Sequence, residues 1–340
     1  MSPDPIQTRR TSTRALLGRV QTALLEKLGD NHESLLGTHT TIYATGSCGR
    51  GDMGAASDLD PYVVRVDGAM PSARSNVDAD LIAAALRQAV KQVGLLDLDA
   101  DGEYARLVTA ESLFENLGNV DDDKTGAFTK RMLLLLESRP LVGESAYVRL
   151  VEQTIDAYWK NEEQHRADYL PIVLLNDIVR YWRIVLLNHE SRLRDKSKES
   201  PLSPDEKMAL RRYSSYKLRV PRCLSCFSAL AYLLALTPTE PAHVKREDIF
   251  RMVGMSPIER LEQLQGKPNT STEILDILRQ LYVAYLERTD NGKKVLIDQL
   301  KSDPTMITAV SQDGKDFTRH MFQLIQTLGG GRTLHRAIVV

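Results

Sequence analysis

The sequence predicts an α+β protein in which a small lobe containing a sheet precedes a larger, all-helical lobe. Segments rich in β-branched residues alternate with helical patterns up to about residue 125. Beyond that point, apolar residues recur at helical spacing almost throughout. We therefore predict an N-terminal domain over residues 1–125 and a helical domain over residues 126–340. A chain of 340 residues is long enough for two such cores.

The first lobe is predicted to begin with a helix, because apolar residues between Leu17 and Leu28 fall on one helical face. Gly29 stands where a C-terminal cap is expected, and the ten polar residues at the start are predicted to form a loose lead. A second helix is predicted over residues 82–93, ending at Gly94. Strands are predicted over residues 38–45, 62–66 and 104–109.

The second lobe is predicted to contain helices over residues 128–137, 147–158, 168–189, 216–236, 273–286, 295–301 and 317–328. Residues 192–205 are charged and contain two prolines, so we expect a mobile connection there. Pro221 is expected to kink its helix or to mark its first turn. Ser256-Pro257-Ile258-Glu259 has the residues of a capping box that starts a further helix.

Composition excludes some classes of protein. Basic and acidic residues nearly cancel, at 44 against 45, so no global polycation indicates tight, non-specific binding of nucleic acid. The longest purely apolar runs are too short to span a bilayer, and no secretory signal precedes the first lobe, so we expect no membrane association. Three cysteines, Cys48, Cys223 and Cys226, argue against a disulfide framework and favour a cytoplasmic protein.

The segment that carries chemistry reads GSCGRGDMGAASDLD and spans residues 46–60. Asp58 and Asp60 stand two residues apart at the start of a predicted strand, so their side chains point to the same side. Hard cations such as Mg²⁺ bind through one or two carboxylates together with substrate phosphates. An isolated Asp-x-Asp often only begins a strand or caps a turn. The complete string is more specific, and it predicts a site for Mg²⁺ or Mn²⁺.

Residues on either side of the glycine-rich loop are predicted to bind a nucleotide. Gly46 and Ser47 end a strand at a turn, where backbone N–H groups and a hydroxyl can reach triphosphate oxygens. Arg50 is expected to add charge-assisted contacts to phosphate, and Ser57 directly precedes the acids. The glycines of the loop allow close approach of the backbone to a ligand.

The Gly-Ser turn, the loop and Ser57-Asp58-Leu59-Asp60 resemble the nucleotidyltransferase pattern of the polymerase-β superfamily, most closely its PII-uridylyltransferase-related branch. A second patch supports that likeness. Residues 135–143, LLESRPLVG, are similar to the Leu-Glu-x-Arg-x-x-x-Gly helix end of the same branch. The resemblance covers roughly residues 38–145 and implies a small mixed sheet. It also implies transfer of a nucleoside monophosphate, with Asp58 and Asp60 as metal ligands.

The sequence departs from the family pattern in two places. Pro61 follows the second acid, where an aliphatic strand residue is usual, so we expect a strand that begins late or lies near an edge. The third carboxylate of the family is not obvious, and Glu103 is the nearest candidate for that catalytic role. Asp101 and Asp99 are alternatives.

Two basic residues of the helical lobe are further candidates for contact with the nucleotide. Arg180 shares a helical face with other polar residues, and Lys217 belongs to a basic cluster with Arg219 and Arg222. In this superfamily a helical domain often closes over the nucleotide. The alternative is that these residues belong to solvated helix faces.

We therefore predict an enzyme that transfers a nucleoside monophosphate from a nucleoside triphosphate (NTP) to an acceptor hydroxyl, with release of pyrophosphate. The acceptor could be a protein, a tRNA end or a small molecule. A cyclic-oligonucleotide synthase, a non-catalytic nucleotide-binding regulator and a helical interaction protein are the alternatives. The base preference, the acceptor and the oligomeric state stay open.

Overall fold

A computed structural model gives the architecture, which is α+β as predicted, with a small mixed sheet and many helices. The chain divides into two compact units, Met1–Lys160 and Asn161–Val340, called here the sheet unit and the helical unit. The structure describes residues 4–54, 57–67, 74–96, 98, 106–119, 121–160, 162, 168–199, 202–239 and 241–339.

The sheet unit contains, in order, α1 (Pro5–Leu28), α2 (His32–Leu35), β1 (Thr40–Thr45), α3 (Gly46–Arg50), β2 (Asp60–Arg65), α4 (Arg74–Val93), β3 (Leu107–Thr109), α5 (Ala127–Leu136), β4 (Arg139–Val142) and α6 (Glu144–Tyr158). The strand order is β3-β2-β1-β4. Strand β1 is antiparallel to both β2 and β4, and β2 is parallel to β3, so the sheet is mixed.

The sheet unit extends beyond the predicted boundary at residue 125. Strand β4 pairs with β1, with Ile42 opposite Val142 and Ala44 opposite Arg139. Helix α6 also packs against β1. Residues 126–160 were predicted to belong to the second lobe because most of their apolar residues have helical spacing. Strand β4 has only four residues, and so short a strand gives no periodic pattern that can be detected.

Helix α1 begins at Pro5, so the predicted loose lead is wrong. The carboxylate of Asp4 accepts a hydrogen bond from the N–H of Ile6 at 3.1 Å, and Pro5 occupies the first turn. Proline is suited to that position because its missing N–H has no partner there in any helix. Ile6 is buried, which extends the apolar face of the helix beyond the residues that the sequence pattern identified.

The two faces of the sheet have different surroundings. Ile42, Ala44 and Val63 belong to the apolar core that includes residues of α1 and α4. Tyr43 and Tyr62 pair across β1 and β2, and their rings stack with centroids 5.5 Å apart. Because strand side chains alternate, Asp60 lies on the same face as Tyr62 and opposite to the core of α1 and α4.

Pro61 occupies a position that tolerates the loss of its N–H. Strand β2 begins at Asp60, so the expectation of a late start is wrong. Pro61 pairs with Ala44 of β1, whereas β3 pairs with β2 only from Val63 onward in the described residues. At Pro61, the described sheet therefore has a neighbour on one side only, where proline is tolerated.

A buried ion pair anchors α5. The guanidinium of Arg131 is fully buried and donates to both carboxylate oxygens of Asp122, at 3.0 and 2.6 Å. It also donates to the hydroxyl of Tyr158 at 2.7 Å and to the carbonyl of Leu113 at 2.6 Å. Burial opposes its charge, but Asp122 and Tyr158 outweigh that effect and raise the pKa of Arg131.

The helical unit contains α7 (Ile172–Glu199), α8 (Pro204–Lys217), a π-helical turn (Leu218–Arg222), α9 (Cys223–Leu236), α10 (Arg246–Gly254), α11 (Pro257–Glu262), α12 (Thr272–Arg288), α13 (Gly292–Ser302), α14 (Pro304–Gly329) and α15 (Thr333–Val339). The predicted helix starting after Ser256 is confirmed. The backbone N–H of Ser256 donates to the carboxylate of Glu259 at 2.7 Å, as in a capping box.

One expectation for the helical unit needs correction. Helix α7 continues to Glu199 and α8 begins at Pro204, so most of the predicted connection over residues 192–205 is helical. Pro221 is accommodated in the π-helical turn, where the widened backbone avoids the usual clash. The helical run Pro204–Leu236 is long and apolar enough to cross a membrane, but 83% of its apolar window is buried inside the protein.

Candidate active site

The two predicted metal ligands project from the start of β2. Asp58 is exposed and Asp60 is partly exposed, whereas Leu59 between them is only 3% exposed and packs in the core. This alternation is what an extended backbone produces. The two carboxylates therefore point away from the core, on the side opposite Leu59.

The carboxylate of Asp60 lies beside the first residue of α3. A Cβ atom at Gly46 would stand 3.0 Å from Asp60 Oδ2, and Gly46 has a φ of +64°. Both facts require glycine at this position, because a side chain would be strained and would crowd the carboxylate. Thr45 fixes the same corner, since its hydroxyl donates to the carbonyl of Asp60 at 3.1 Å. Ser47, the next residue, is partly exposed.

Cys48 fills the space beneath the acids. Its thiol is buried and lies 3.2 Å from Met53 Sδ and 3.6 Å from the carbonyl oxygen of Asp58. Burial raises the pKa of the thiol well above its ordinary value, and the negative charges of Asp60 and Asp58 raise it further. The thiol is therefore protonated at neutral pH, and it lies within the electric field of both predicted ligands.

Arg50 does not extend toward solvent. Its side chain is 6% exposed, and its guanidinium donates to Asp52 Oδ2 at 3.0 Å and to Glu137 Oε2 at 2.8 Å. A guanidinium held by two carboxylates is charge-compensated and is not available for phosphate. We therefore withdraw the predicted triphosphate contact of Arg50, which braces the glycine-rich loop from inside.

The two patches that carried the family resemblance pack on each other. A Cβ atom at Gly49 would stand 1.9 Å from the carbonyl oxygen of Glu137, so only glycine allows this approach. The guanidinium of Arg139 donates to the carbonyl of Gly49 at 2.9 Å. Gly143 has the same kind of constraint, because its Cβ would stand 2.2 Å from the carbonyl oxygen of Thr40. The patch around Glu137 thus supports the loop that precedes the acids.

Ser57 closes the described part of the loop. Its hydroxyl accepts a hydrogen bond from the N–H of Gly54 at 2.8 Å, and its own N–H donates to the carbonyl of Gly54 at 3.1 Å. The N–H of Met53 donates to the hydroxyl of Thr13 at 3.1 Å, which ties the loop to α1. The predicted nucleotide contact of Ser57 stays a prediction, and its observed contacts serve the turn.

The third carboxylate remains unassigned. Glu103, Asp101 and Asp99 lie outside the described residues. In the described part of β3, Val108 pairs with Val64 and so shares the face of Asp60. The strand Leu107–Thr109 contains no acidic residue, and Arg106 before it is exposed. No group of three or more His, Cys, Asp or Glu side chains suited to a metal occurs among the residues with a described position.

The other two predicted nucleotide ligands belong to the helical unit. Arg180 Nη1 lies 3.5 Å from Asp177 Oδ1, and the side chain is one-third exposed. The ammonium of Lys217 lies 5.8 Å from the ring centroid of Tyr213. Their proposed contact with a nucleotide stays a prediction.

Sequence reasoning did not identify the residues that hold the loop. Glu137 and Arg139 were noted only as part of a family-like pattern, and no chemical role was assigned to them. Thr13 and Thr45 gave no signal, because a single threonine in a helix or strand is common. The one available signal was charge: Glu137 and Arg139 follow an apolar helix, where polar residues need buried partners.

The arrangement suits a hard divalent cation. Asp58 and Asp60 supply carboxylate oxygens from one strand end, and both side chains have access to solvent. The buried thiol of Cys48 is protonated and enclosed, so it does not offer a soft ligand. The donor set therefore fits Mg²⁺ or Mn²⁺ better than Zn²⁺.

Comparison with known proteins adds no assignment: no family model, no curated protein and no solved structure matches this chain. The likeness to the polymerase-β superfamily therefore rests on the residues described above.

Proposed function

We propose that the protein is a nucleotidyltransferase that moves a nucleoside monophosphate from an NTP to an acceptor hydroxyl. The observation that carries this proposal is the pair of outward-facing carboxylates, Asp58 and Asp60, beside the glycine turn at Gly46. Because Gly46 has no side chain, the Asp60 carboxylate lies close to the backbone of that turn, which is the part of the loop proposed to contact phosphate. Ser47 directly follows Gly46 in the sequence, and its polar side chain is partly exposed.

In this proposal, Asp58 and Asp60 would hold Mg²⁺ or Mn²⁺, which when bound offsets phosphate charge and activates an attacking oxygen. The N–H groups and hydroxyl at Gly46 and Ser47 orient the triphosphate. The acceptor oxygen forms a bond to the α-phosphorus, and the bond from that phosphorus to the oxygen of the leaving pyrophosphate breaks. Positioning and electrostatic stabilisation supply most of the rate.

The test is incubation of the purified chain with each α-labelled NTP and Mg²⁺ or Mn²⁺, with and without cell extract. Label that moves to protein, to RNA or to a small product identifies the acceptor, and pyrophosphate release reports turnover. We expect the Asp58→Asn plus Asp60→Asn variant to lose turnover by at least about 100-fold, since it removes both cation ligands. Asp80→Asn, which removes an exposed acid on α4, is the matched control and should retain full activity.

Two results of this experiment distinguish the alternatives. A labelled product formed from NTPs alone, without extract, indicates a cyclic-oligonucleotide synthase. Turnover that persists in the double variant at the wild-type rate refutes the proposal.

A non-catalytic nucleotide-binding regulator is the second candidate, and β3 favours it. The described strand Leu107–Thr109 belongs to the segment predicted to carry the third acid, yet it contains no acidic residue, and Arg106 before it is basic. A regulator would bind NTP in a Mg²⁺-dependent manner that requires Asp58 and Asp60, but it would release no pyrophosphate with any of the four NTPs.

A further inference from the structure

Four basic side chains lie on neighbouring elements of the helical unit, and two of them follow Lys217 closely in the sequence. They are defined here as the basic cluster: His189 on α7, Arg211 on α8, and Arg219 and Arg222 on the π-helical turn. His189, Arg219 and Arg222 are partly exposed and Arg211 is exposed, so a ligand can reach all four.

Contacts with two other helices, α8 and α14, fix the geometry of the cluster. The Nε2 atom of His189 lies 3.5 Å from the hydroxyl of Ser215 on α8. The stem of Arg219 lies across Gly314 of α14, where an added Cβ would stand 3.1 Å from Arg219 Cδ and 3.3 Å from its Cβ. The bare backbone of Gly314 thus makes room for the stem of Arg219 against α14.

The π-helical turn carries Arg219 and Arg222 of the cluster. Leu218, Val220 and Pro221 are buried and anchor the turn in the core. Arg219 and Arg222 are the partly exposed residues of this turn, and the charges of both act on the imidazole of His189. Short π-helical segments are rare and occur frequently at functional sites.

The positive charge of the cluster is poorly compensated. Across the described side chains, Arg219 and Arg222 make no ion pair or side-chain hydrogen bond, and Arg211 reaches Glu190 only at 3.9 Å. Burial lowers the pKa of His189, Glu190 opposes that effect, and Arg222, Arg211 and Arg219 lower it further. Among the described residues, three arginines and one acid, Glu190, thus act on the imidazole, so the described charges around it are mainly positive.

We propose that the basic cluster binds a small phosphate ligand carrying at least two negative charges. Two guanidinium groups supply forked N–H donors that match phosphate oxygens, and the Ser215 hydroxyl and the His189 imidazole supply further donors. The ligand is either free phosphate or pyrophosphate, or the phosphate end of a nucleotide. This site belongs to the helical unit alone and does not depend on the proposed transferase activity.

The test is titration of the full chain with inorganic phosphate, pyrophosphate or ATP in the presence of EDTA, which keeps the acids of the sheet unit free of cations. Binding is followed by calorimetry and by the imidazole NMR signal of His189, which the variant His189→Gln identifies. We expect one saturable site and a rise in the His189 pKa on binding, because a bound anion favours the imidazolium. Comparison of the three ligands distinguishes a free phosphate source from a nucleotide.

Substitutions at Arg219 and Arg222 test whether these two side chains bind the phosphate ligand. Arg219→Gln plus Arg222→Gln should weaken binding at least about 10-fold, whereas Arg219→Lys plus Arg222→Lys should retain part of it. Lys293→Gln removes an exposed charge on α13 and should leave phosphate binding unchanged. Asp58→Asn plus Asp60→Asn, which should abolish the proposed turnover, should leave phosphate binding in EDTA unchanged. Thermal unfolding shows that each variant is folded. Absence of saturable binding in the wild type, or equal binding by the Gln variant, overturns the proposal.

Discussion

Arginines are used in opposite ways in the two units of the molecule. In the sheet unit, Arg50 and Arg131 are enclosed by carboxylates and brace a loop and a helix. In the helical unit, Arg219 and Arg222 are partly exposed and have no acidic partner among the described side chains. Arg50, which the glycine-rich loop pattern predicted to contact phosphate, is one of the arginines held by carboxylates.

The difference shows that the role of an arginine depends on its desolvation and its partners. A buried guanidinium must be paired, because an isolated buried charge is costly. Once paired, its positive charge is offset by the negative charge of the carboxylate, so little net field is left to attract an anionic ligand. A partly exposed guanidinium without an acid retains its field, and that field is what recruits anions. The predictions below test this contrast, beginning with the largest effect.

The largest loss of stability is expected for Arg131→Met. The substitution leaves the carboxylate of Asp122 buried without its partner, and breaking such a pair costs about 3–5 kcal/mol. Urea denaturation of the full chain measures the effect. The double variant Arg131→Met plus Asp122→Leu should recover most of the loss, since it removes both charges. A double variant as unstable as the single one would contradict the explanation.

Arg50→Met should lower the free energy of unfolding by about 3 kcal/mol, because Asp52 and Glu137 lose their shared cation. Nucleotide affinity should fall with it, since the loop is no longer braced. Adding Glu137→Leu should restore part of both stability and affinity. If Arg50 contacted phosphate directly, the added Glu137→Leu would leave the affinity defect unchanged, and isothermal calorimetry with Mg²⁺-ATP distinguishes the two results.

Gly49→Ala should cost about 1–3 kcal/mol, because its methyl group would overlap the carbonyl of Glu137 at 1.9 Å. The loop must then move away from the Glu137 patch, so Mg²⁺-dependent nucleotide binding should weaken as well. Gly18→Ala on the exposed side of α1 is the matched control, since no atom lies within 4 Å of the added Cβ. That control should stabilise the protein by about 0.5–1 kcal/mol.

The smallest effect on stability is expected in the helical unit. Arg219→Gln plus Arg222→Gln should change the free energy of unfolding at pH 7.5 by no more than about 0.5 kcal/mol, because no ion pair is lost. The pKa of His189 should rise, since two of the cations that depress it are gone. NMR titration of the imidazole measures that rise, and an unchanged pKa would contradict the proximity of the cluster.

The pH dependence of stability follows from the same histidine. The pKa of His189 is lower in the folded protein than in the unfolded chain, so the unfolded chain binds the proton more readily. Its contribution is complete above the unfolded pKa near 6.5 and is lost as the pH falls below that value. The loss between pH 7 and pH 5 should therefore be smaller in the Arg219→Gln plus Arg222→Gln variant than in the wild type.

The sequence alone determined the features that local pattern controls. Apolar spacing predicted most helices, and β-branched content predicted β1 and β2 within about two residues. The i, i+2 spacing predicted that the side chains of Asp58 and Asp60 point to the same side, because alternation is a property of any extended backbone. These predictions needed no knowledge of distant residues.

Only the tertiary structure decided which residues surround those acids. Arg50 meets Glu137 from 87 positions away, and Ile42 of β1 aligns with Val142 of β4 from a comparable distance along the chain. Arg50 is buried and paired because segments that are distant in the sequence pack against each other. Hydrophobic periodicity describes single elements, whereas desolvation and charge compensation depend on what folds against them.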